Sequence, residues 1–282
     1  MNAIEIRGLT KSYKDFTLDN LNLTLPSGCI LGLVGENGAG KTTTIRMLLG
    51  MTEPDSGTAT VLGQPIGQDM RAVKQDIGVV LDEVGYPACL TARQVGRIMA
   101  AAYDTWDMTV YERYLKDLSI PTGKPFSELS RGNKMKLGIA AAMSHNAKLL
   151  ILDEPTSGLD PVVRDEVVGL FAEFTRDPGR AVLISSHIVS DLEKLCDYIA
   201  FLRKGKLLLC EEKDRLLEEY GILRCDRAFL EELAPGAVLG QRIGPYSVEA
   251  LARRDAVPVG TPVSPVTIEE LFVFMVKEDK IR

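Results

Sequence analysis

No apolar run in the sequence approaches the ~18 uninterrupted residues that a membrane-spanning helix needs. The first residues, MNAIEIRGLT, lack the basic-then-apolar pattern of a secretion signal. Cysteines are few and scattered. Cys29, Cys89, Cys196, Cys210 and Cys225 form no C-x-x-C pair, which excludes a sequence-legible zinc site or disulfide frame and reads as free thiols in a reducing cytoplasm. Excess positive charge is also missing: Lys+Arg 33 against Asp+Glu 39 gives a net charge of −6, so no dedicated nucleic-acid surface is expected. There is no internal repeat and no low-complexity tract. What remains is ordinary for a soluble globular protein: 282 residues, 45% hydrophobic and 26% charged, enough for one large domain with an appendage.

Against that background, residues 35–43 stand out. They read GENGAGKTT, with Gly35, Gly40, Lys41 and Thr42 at the defining positions of a G-x-x-x-x-G-K-[ST] phosphate-binding loop. The apolar run CILGLVG before it reads as a buried strand, and TTTIRMLLG after it has helical spacing closed by Gly50. Strand, loop and helix form the context the motif requires. Glycines let backbone N–H groups turn inward around phosphate, and the helix N-terminus adds partial positive charge. Gly35, Glu36, Asn37, Gly38, Ala39, Gly40, Lys41, Thr42 and Thr43 are thus the candidate ATP-binding residues, with Lys41 on the β- and γ-phosphates and Thr42 on Mg²⁺. The loop occurs once.

The rest of the chain alternates strand and helix. Ile4 to Tyr13 and Leu18 to Gly28 alternate like half-buried strands of an antiparallel front layer, and Ser56 to Ile66 reads as one more strand of it. IGVVLDE, KLLILDE and RAVLISSH are short apolar runs ending in polar residues, as buried parallel strands do. Residues from about 85 to 145 have helical spacing and read as a helical insert. A helix and a strand pair turning at Lys204-Gly205 close the main part near residue 210. Residues 211–282 show weak periodicity until an amphipathic helix from Ile268 to Lys280, expected to pack against the main domain or, alternatively, to serve dimer contact or regulation.

A second chemical element is ILDEP, where Asp153 ends a strand and can hold Mg²⁺, and Glu154 can orient or deprotonate an attacking water. With LSRGNKMKLGIAAAM (129–143), LLILDEPTSGLDP (149–161), ISSH ending at His187, and KSY ending at Tyr13, residues 3–210 resemble the nucleotide-binding subunit of ATP-binding-cassette (ABC) transporters. The resemblance implies an α/β fold: a P-loop NTPase (RecA-like) core with an antiparallel β layer, a helical subdomain and a small C-terminal α/β extension. It implies two such subunits paired head to tail around two ATP molecules. Tyr13 would then stack on adenine, Ser130 and Gly132 would meet the partner's ATP, Asp160 would lie at the dimer seam, and His187 would sense the γ-phosphate. The tail after residue 211 resembles that of bacitracin- and antibiotic-export ATPases.

Two positions depart from the family. Arg131 replaces the first glycine of its LSGGQ signature, with Asn133 in place of glutamine; the arginine either adds charge near the partner's ATP or faces solvent. Asp82, followed by Glu83, stands where the family has a glutamine that approaches Mg²⁺ and couples to the membrane subunit. That carboxylate could hold a metal-bound water or weaken nucleotide binding. The expectation is an ATP- and Mg²⁺-dependent ATPase, catalysed by Glu154 and His187, that drives export through a separate membrane permease from the inner face of the membrane. It would work as a homo- or heterodimer. A soluble ATPase of the same superfamily, or a nucleotide sensor that hardly hydrolyses, are the alternatives.

Overall fold

The computed structural model of the chain describes residues 1–244 and 248–277. Three strands open it, β1 (Asn2–Ser12), β2 (Thr17–Pro26) and β3 (Ile30–Val34), followed by α1 (Lys41–Leu48), β4 (Ser56–Val61), β5 (Gln64–Pro65), α2 (Arg71–Lys74) and β6 (Ile77–Val80). The helical insert contains α3 (Ala92–Ala102), α4 (Met108–Asp117) and α5 (Arg131–Ala142). Next come β7 (Leu149–Asp153), α6 (Pro161–Phe174), β8 (Ala181–Ser186), α7 (Val189–Leu195), β9 (Tyr198–Arg203) and β10 (Lys206–Glu212). The remainder is α8 (Lys213–Glu219), β11 (Tyr220–Cys225), α9 (Arg227–Glu232), β12 (Val238–Ile243), β13 (Val248–Arg253), β14 (Val263–Ser264) and α10 (Ile268–Lys277).

The central sheet has the order β10-β9-β3-β8-β7-β6, parallel from β9 to β6, with β10 antiparallel at one edge. Strands β3, β7 and β8 are buried along their whole length, which is why they read as unbroken apolar runs. Their side chains alternate between two cores. Leu150, Leu152, Val182 and Ile184 join the helices on one face. Leu149, Ile151, Leu183 and α1 residues Ile45 and Met47 meet the front layer on the other. That layer is an antiparallel sheet in the order β2-β1-β4-β5.

One detail of this layer corrects the sequence reading. Ser56 to Ile66 is a hairpin, not a single strand. Leu62 and Gly63 have φ of 49° and 80°, the paired left-handed conformation that turns two strands tightly about two residues.

The insert is built around Tyr111, which is fully buried and donates from its hydroxyl to the Ala92 carbonyl at 2.8 Å. Gly96 makes room for that ring, since a Cβ there would lie 2.4 Å from it. Helix α3 begins with a reciprocal cap between Thr91 and Gln94.

After β10 the chain forms a sheet that periodicity did not reveal, with the antiparallel order β12-β13-β11-β14. Helix α10 packs on this sheet and on the main body. Phe274 backbone passes where a Cβ on Gly240 would be, 2.5 Å away, and Phe272 lies against Phe201 of β9 with ring centroids 5.1 Å apart. Of the two readings of this helix, the described residues thus exhibit packing on the main body. Residues 278–280 of the expected helix lie outside the described residues.

Candidate functional site

The phosphate-binding loop spans the gap between β3 and α1. Two of its glycines are set by close contacts. A Cβ on Gly35 would lie 2.5 Å from the Leu202 carbonyl oxygen, and Gly40 has φ 113° with Phe16 and Leu18 packed against it. Gly40 occupies the cap position of α1 and offers no side-chain acceptor, so the first N–H groups of the helix are left for a ligand.

Lys41 is buried, and its Nζ donates to the Gly35 carbonyl at 2.7 Å. It also lies 3.2 Å from Glu154 Oε1. That oxygen has no partner of hydrogen-bond geometry, so the contact is an ion pair rather than an aligned hydrogen bond. Thr42 Oγ1 donates to Asp153 Oδ2 at 2.7 Å, and Ser185 Oγ donates to Asp153 Oδ1.

Glu154 follows β7 in a left-handed conformation, φ 51°, an uncommon state for a residue with a side chain. Its N–H donates to the Ser185 carbonyl at 3.1 Å, which anchors this turn to β8. Its Oε2 accepts from the His187 backbone N–H at 3.3 Å and lies 2.7 Å from His187 Nδ1. The ends of β7 and β8 and the start of α1 therefore bring Lys41, Asp153, Glu154 and His187 together, although 33 residues separate the last two.

The resulting cleft has a volume of about 460 Å³ and is lined by Glu36 to Thr43, Glu154, Asp82, Asp15 and Phe16. Tyr13 is exposed and sits beside Phe16 with the ring centroids 6.4 Å apart. It is Phe16 rather than Tyr13 that lines the cleft. The sequence signal for it was an aromatic three residues after the tyrosine, just ahead of β2.

Ser130 caps α5, its Oγ accepting from Asn133 N–H at 3.3 Å, and Gly132 lies in the first turn. Neither lines the chain's own cleft. Arg131 turns back onto its own chain. Its Nη2 donates to Asp82 Oδ1 at 3.0 Å and to Ser157 Oγ at 3.2 Å. The two family departures thus touch, and neither reading of Arg131 from the sequence anticipated that. Asp82 also borders a groove of about 560 Å³ with Glu83, Val84, Phe126, Arg131, Lys134 and Met135. Asp160 caps α6, accepting from Val162 and Val163 N–H at 3.2 and 3.1 Å.

The pattern of the ABC transporter family matches residues 18–157. Bacitracin transport ATP-binding protein BcrA of Bacillus licheniformis is 38% identical over 208 residues, covering 73% of this chain and 68% of that one. Lantibiotic transport ATP-binding protein SrtF of Streptococcus pyogenes is 35% identical over 214 residues, 75% of this chain and 91% of that one. A solved ATP-binding subunit of an ABC transporter matches with a TM-score of 0.68 at 26% identity, over 76% of this chain and 91% of that one. The chain belongs to the ABC transporter ATP-binding family. It is an ATP-binding ATPase of that family.

Within this cassette, two residues that the sequence did not single out support the cleft. Ser185 holds Asp153 from β8, and Ser157 receives Arg131. His145, to which the sequence assigned no role, is fully buried. It stacks on Tyr103 with centroids 3.9 Å apart and faces the Ile77 carbonyl through Nε2 at 3.1 Å. Burial holds its pKa below the usual imidazole value. The cassette's cysteines are free. Burial pushes the Cys210 thiol up to about 11 and Cys196 higher still. Among the described residues no helix is long and apolar enough to cross a membrane.

Proposed function

We propose that the cassette binds MgATP in the 460 Å³ cleft, hydrolyses it with Glu154 and His187, and drives export through a separate membrane permease. The convergence of Lys41, Asp153, Glu154 and His187 at one end of the central sheet supports this reading. The donors fit a magnesium ion. Thr42 and Asp153 face one another at 2.7 Å, a hydroxyl oxygen and a carboxylate oxygen. That suits a small hard cation that keeps waters and takes phosphate oxygens. Bound there, magnesium would neutralise charge on the β- and γ-phosphates.

Lys41 leaves Glu154 for the phosphates. Glu154, released from that ion pair, accepts the proton of the attacking water. His187 is held against Glu154 and reports on the γ-phosphate from the same strand end. Ser130 and Gly132 lie outside the chain's own cleft and serve the ATP of a second cassette paired head to tail. Tyr13 and Phe16 would flank the adenine together. Asp160 would lie near the dimer seam while also capping α6. The groove beside Asp82 is the natural place for a permease segment, because a partner there touches the edge of the nucleotide cleft. Two of the relatives named above are a bacitracin transport protein and a lantibiotic transport protein, and export is the direction we infer for this chain.

The test is affinity purification of the tagged chain from detergent-solubilised host membranes, with its partners identified by mass spectrometry. A stoichiometric multi-span partner, with or without a second cassette, is expected. A chain that purifies alone from the soluble fraction, or with ribosomal or DNA-associated proteins, overturns the permease reading. Turnover equal to that of Glu154→Gln, near zero, would move the cassette to a nucleotide sensor.

A further inference from the structure

The described side chains that line the cleft carry four carboxylates, Asp15, Glu36, Asp82 and Glu154, against one cation, Lys41. ATP brings more negative charge. Glu154 is answered by Lys41 at 3.2 Å and also lies 2.7 Å from His187 Nδ1. Asp82 lies on the boundary between the cleft and the neighbouring groove, and its one ion pair among the described residues comes from the groove side, from Arg131 at 3.0 Å. The arginine stem reaches there over Gly158, whose φ is 75°. A Cβ at Gly158 would lie 3.3 Å from Arg131 Cδ. The same guanidinium holds Ser157, in the turn after Glu154. One side chain therefore links the first residue of α5, the end of β6 and the loop that carries the catalytic glutamate.

We propose that Arg131 and Asp82 are a matched pair, in which Arg131 acts as a positioning residue. It neutralises, from the same chain, the carboxylate that Asp82 presents to the nucleotide, and it fixes that carboxylate at the rim. Arginine suits this task because its planar fork stays charged and engages two oxygens at once. The pair offsets a carboxylate that would otherwise repel ATP where a neutral glutamine is usual. The inference rests on the cleft being the ATP site. Both side chains are about half exposed, 63% and 49%, so solvent screening keeps the effect modest.

The experiment is a double-mutant cycle on the full chain, with MgATP hydrolysis followed against ATP concentration at low and high salt. Arg131→Gly is expected to raise KM about two- to five-fold at low salt, the range of an exposed ion pair, with kcat little changed. Arg131→Lys retains most of the affinity. Adding Asp82→Gln to Arg131→Gly removes most of the KM penalty, and high salt shrinks it. Thermal melting of each variant separates these effects from misfolding. A double variant no better than Arg131→Gly overturns the pairing. So does a fall in kcat at constant KM in both, which would place Arg131 on the partner's ATP. Failure of the unsubstituted chain to bind MgATP would overturn the site itself; intact binding with no coupling overturns only the pair.

Discussion

Replacing Glu154 by glutamine should move binding and turnover in opposite directions. Glu154 Oε1 lies 3.2 Å from the buried Lys41 ammonium; at an effective dielectric of about 20 that attraction is worth roughly 5 kcal/mol before desolvation. Desolvation of both ions takes back most of it, leaving about 1–2 kcal/mol that ATP must overcome to draw Lys41 away. Glutamine keeps the shape of the side chain and its contacts with His187, and Lys41 keeps the Gly35 carbonyl at 2.7 Å. Kd for MgATP should therefore fall about five- to thirty-fold, at 1.4 kcal/mol per decade. Loss of the proton acceptor should meanwhile slow turnover by about 10²–10⁴-fold. Equilibrium binding of MgATP, alongside phosphate release under saturating ATP, measures both. Slow turnover with unchanged or weaker binding would refute the idea that Lys41 and Glu154 hold each other before ATP arrives.

Phe16→Ala should raise KM for ATP by roughly two- to ten-fold with kcat kept, since the lost contact is a stacking surface rather than a reacting group; steady-state kinetics decide this. Asp160→Ala should lower stability by about 1 kcal/mol through loss of the α6 cap, whereas Asp160→Asn should keep the cap, so any loss of ATP-driven dimerisation in Asp160→Asn reports on the seam alone. His145 makes stability depend on pH. Its folded pKa lies below the unfolded value of 6.5, so the unfolded chain binds more protons in that window. Stability should be unaffected by this group above about pH 6.5 and should fall as pH drops through the range between the two values. His145→Gln should flatten that part of the melting profile.

The parts that were legible in the sequence are those with strong local chemistry. Strands β3, β7 and β8 are apolar on both faces, so their burial showed as uninterrupted runs. The phosphate-binding loop carried its own glycines and lysine. The C-terminal sheet was not legible because its strands are short and mixed. β13, VEALAR, packs through Ala250 and Ala252, small residues that leave little periodic signal, and β14 has only two residues. The hairpin at Leu62-Gly63 was hidden because leucine is a poor marker for a left-handed turn. The contact of Arg131 with Asp82 spans 49 residues and depends on how α5 meets β6, which no local pattern encodes.

Strand β9 backs the phosphate-binding loop through Leu202, and the adjacent Phe201 is covered by Phe272 of α10. A ribosome delivers β9 long before α10. During synthesis there is thus an interval in which every segment that carries a nucleotide motif has emerged, yet one flank of the central sheet is still bare. Nascent chains in that interval would present Phe201 and its neighbours to chaperones or to each other. A stop codon or protease cut between β10 and α10 would make that condition permanent, yielding a cassette with a complete set of nucleotide motifs and an adhesive side.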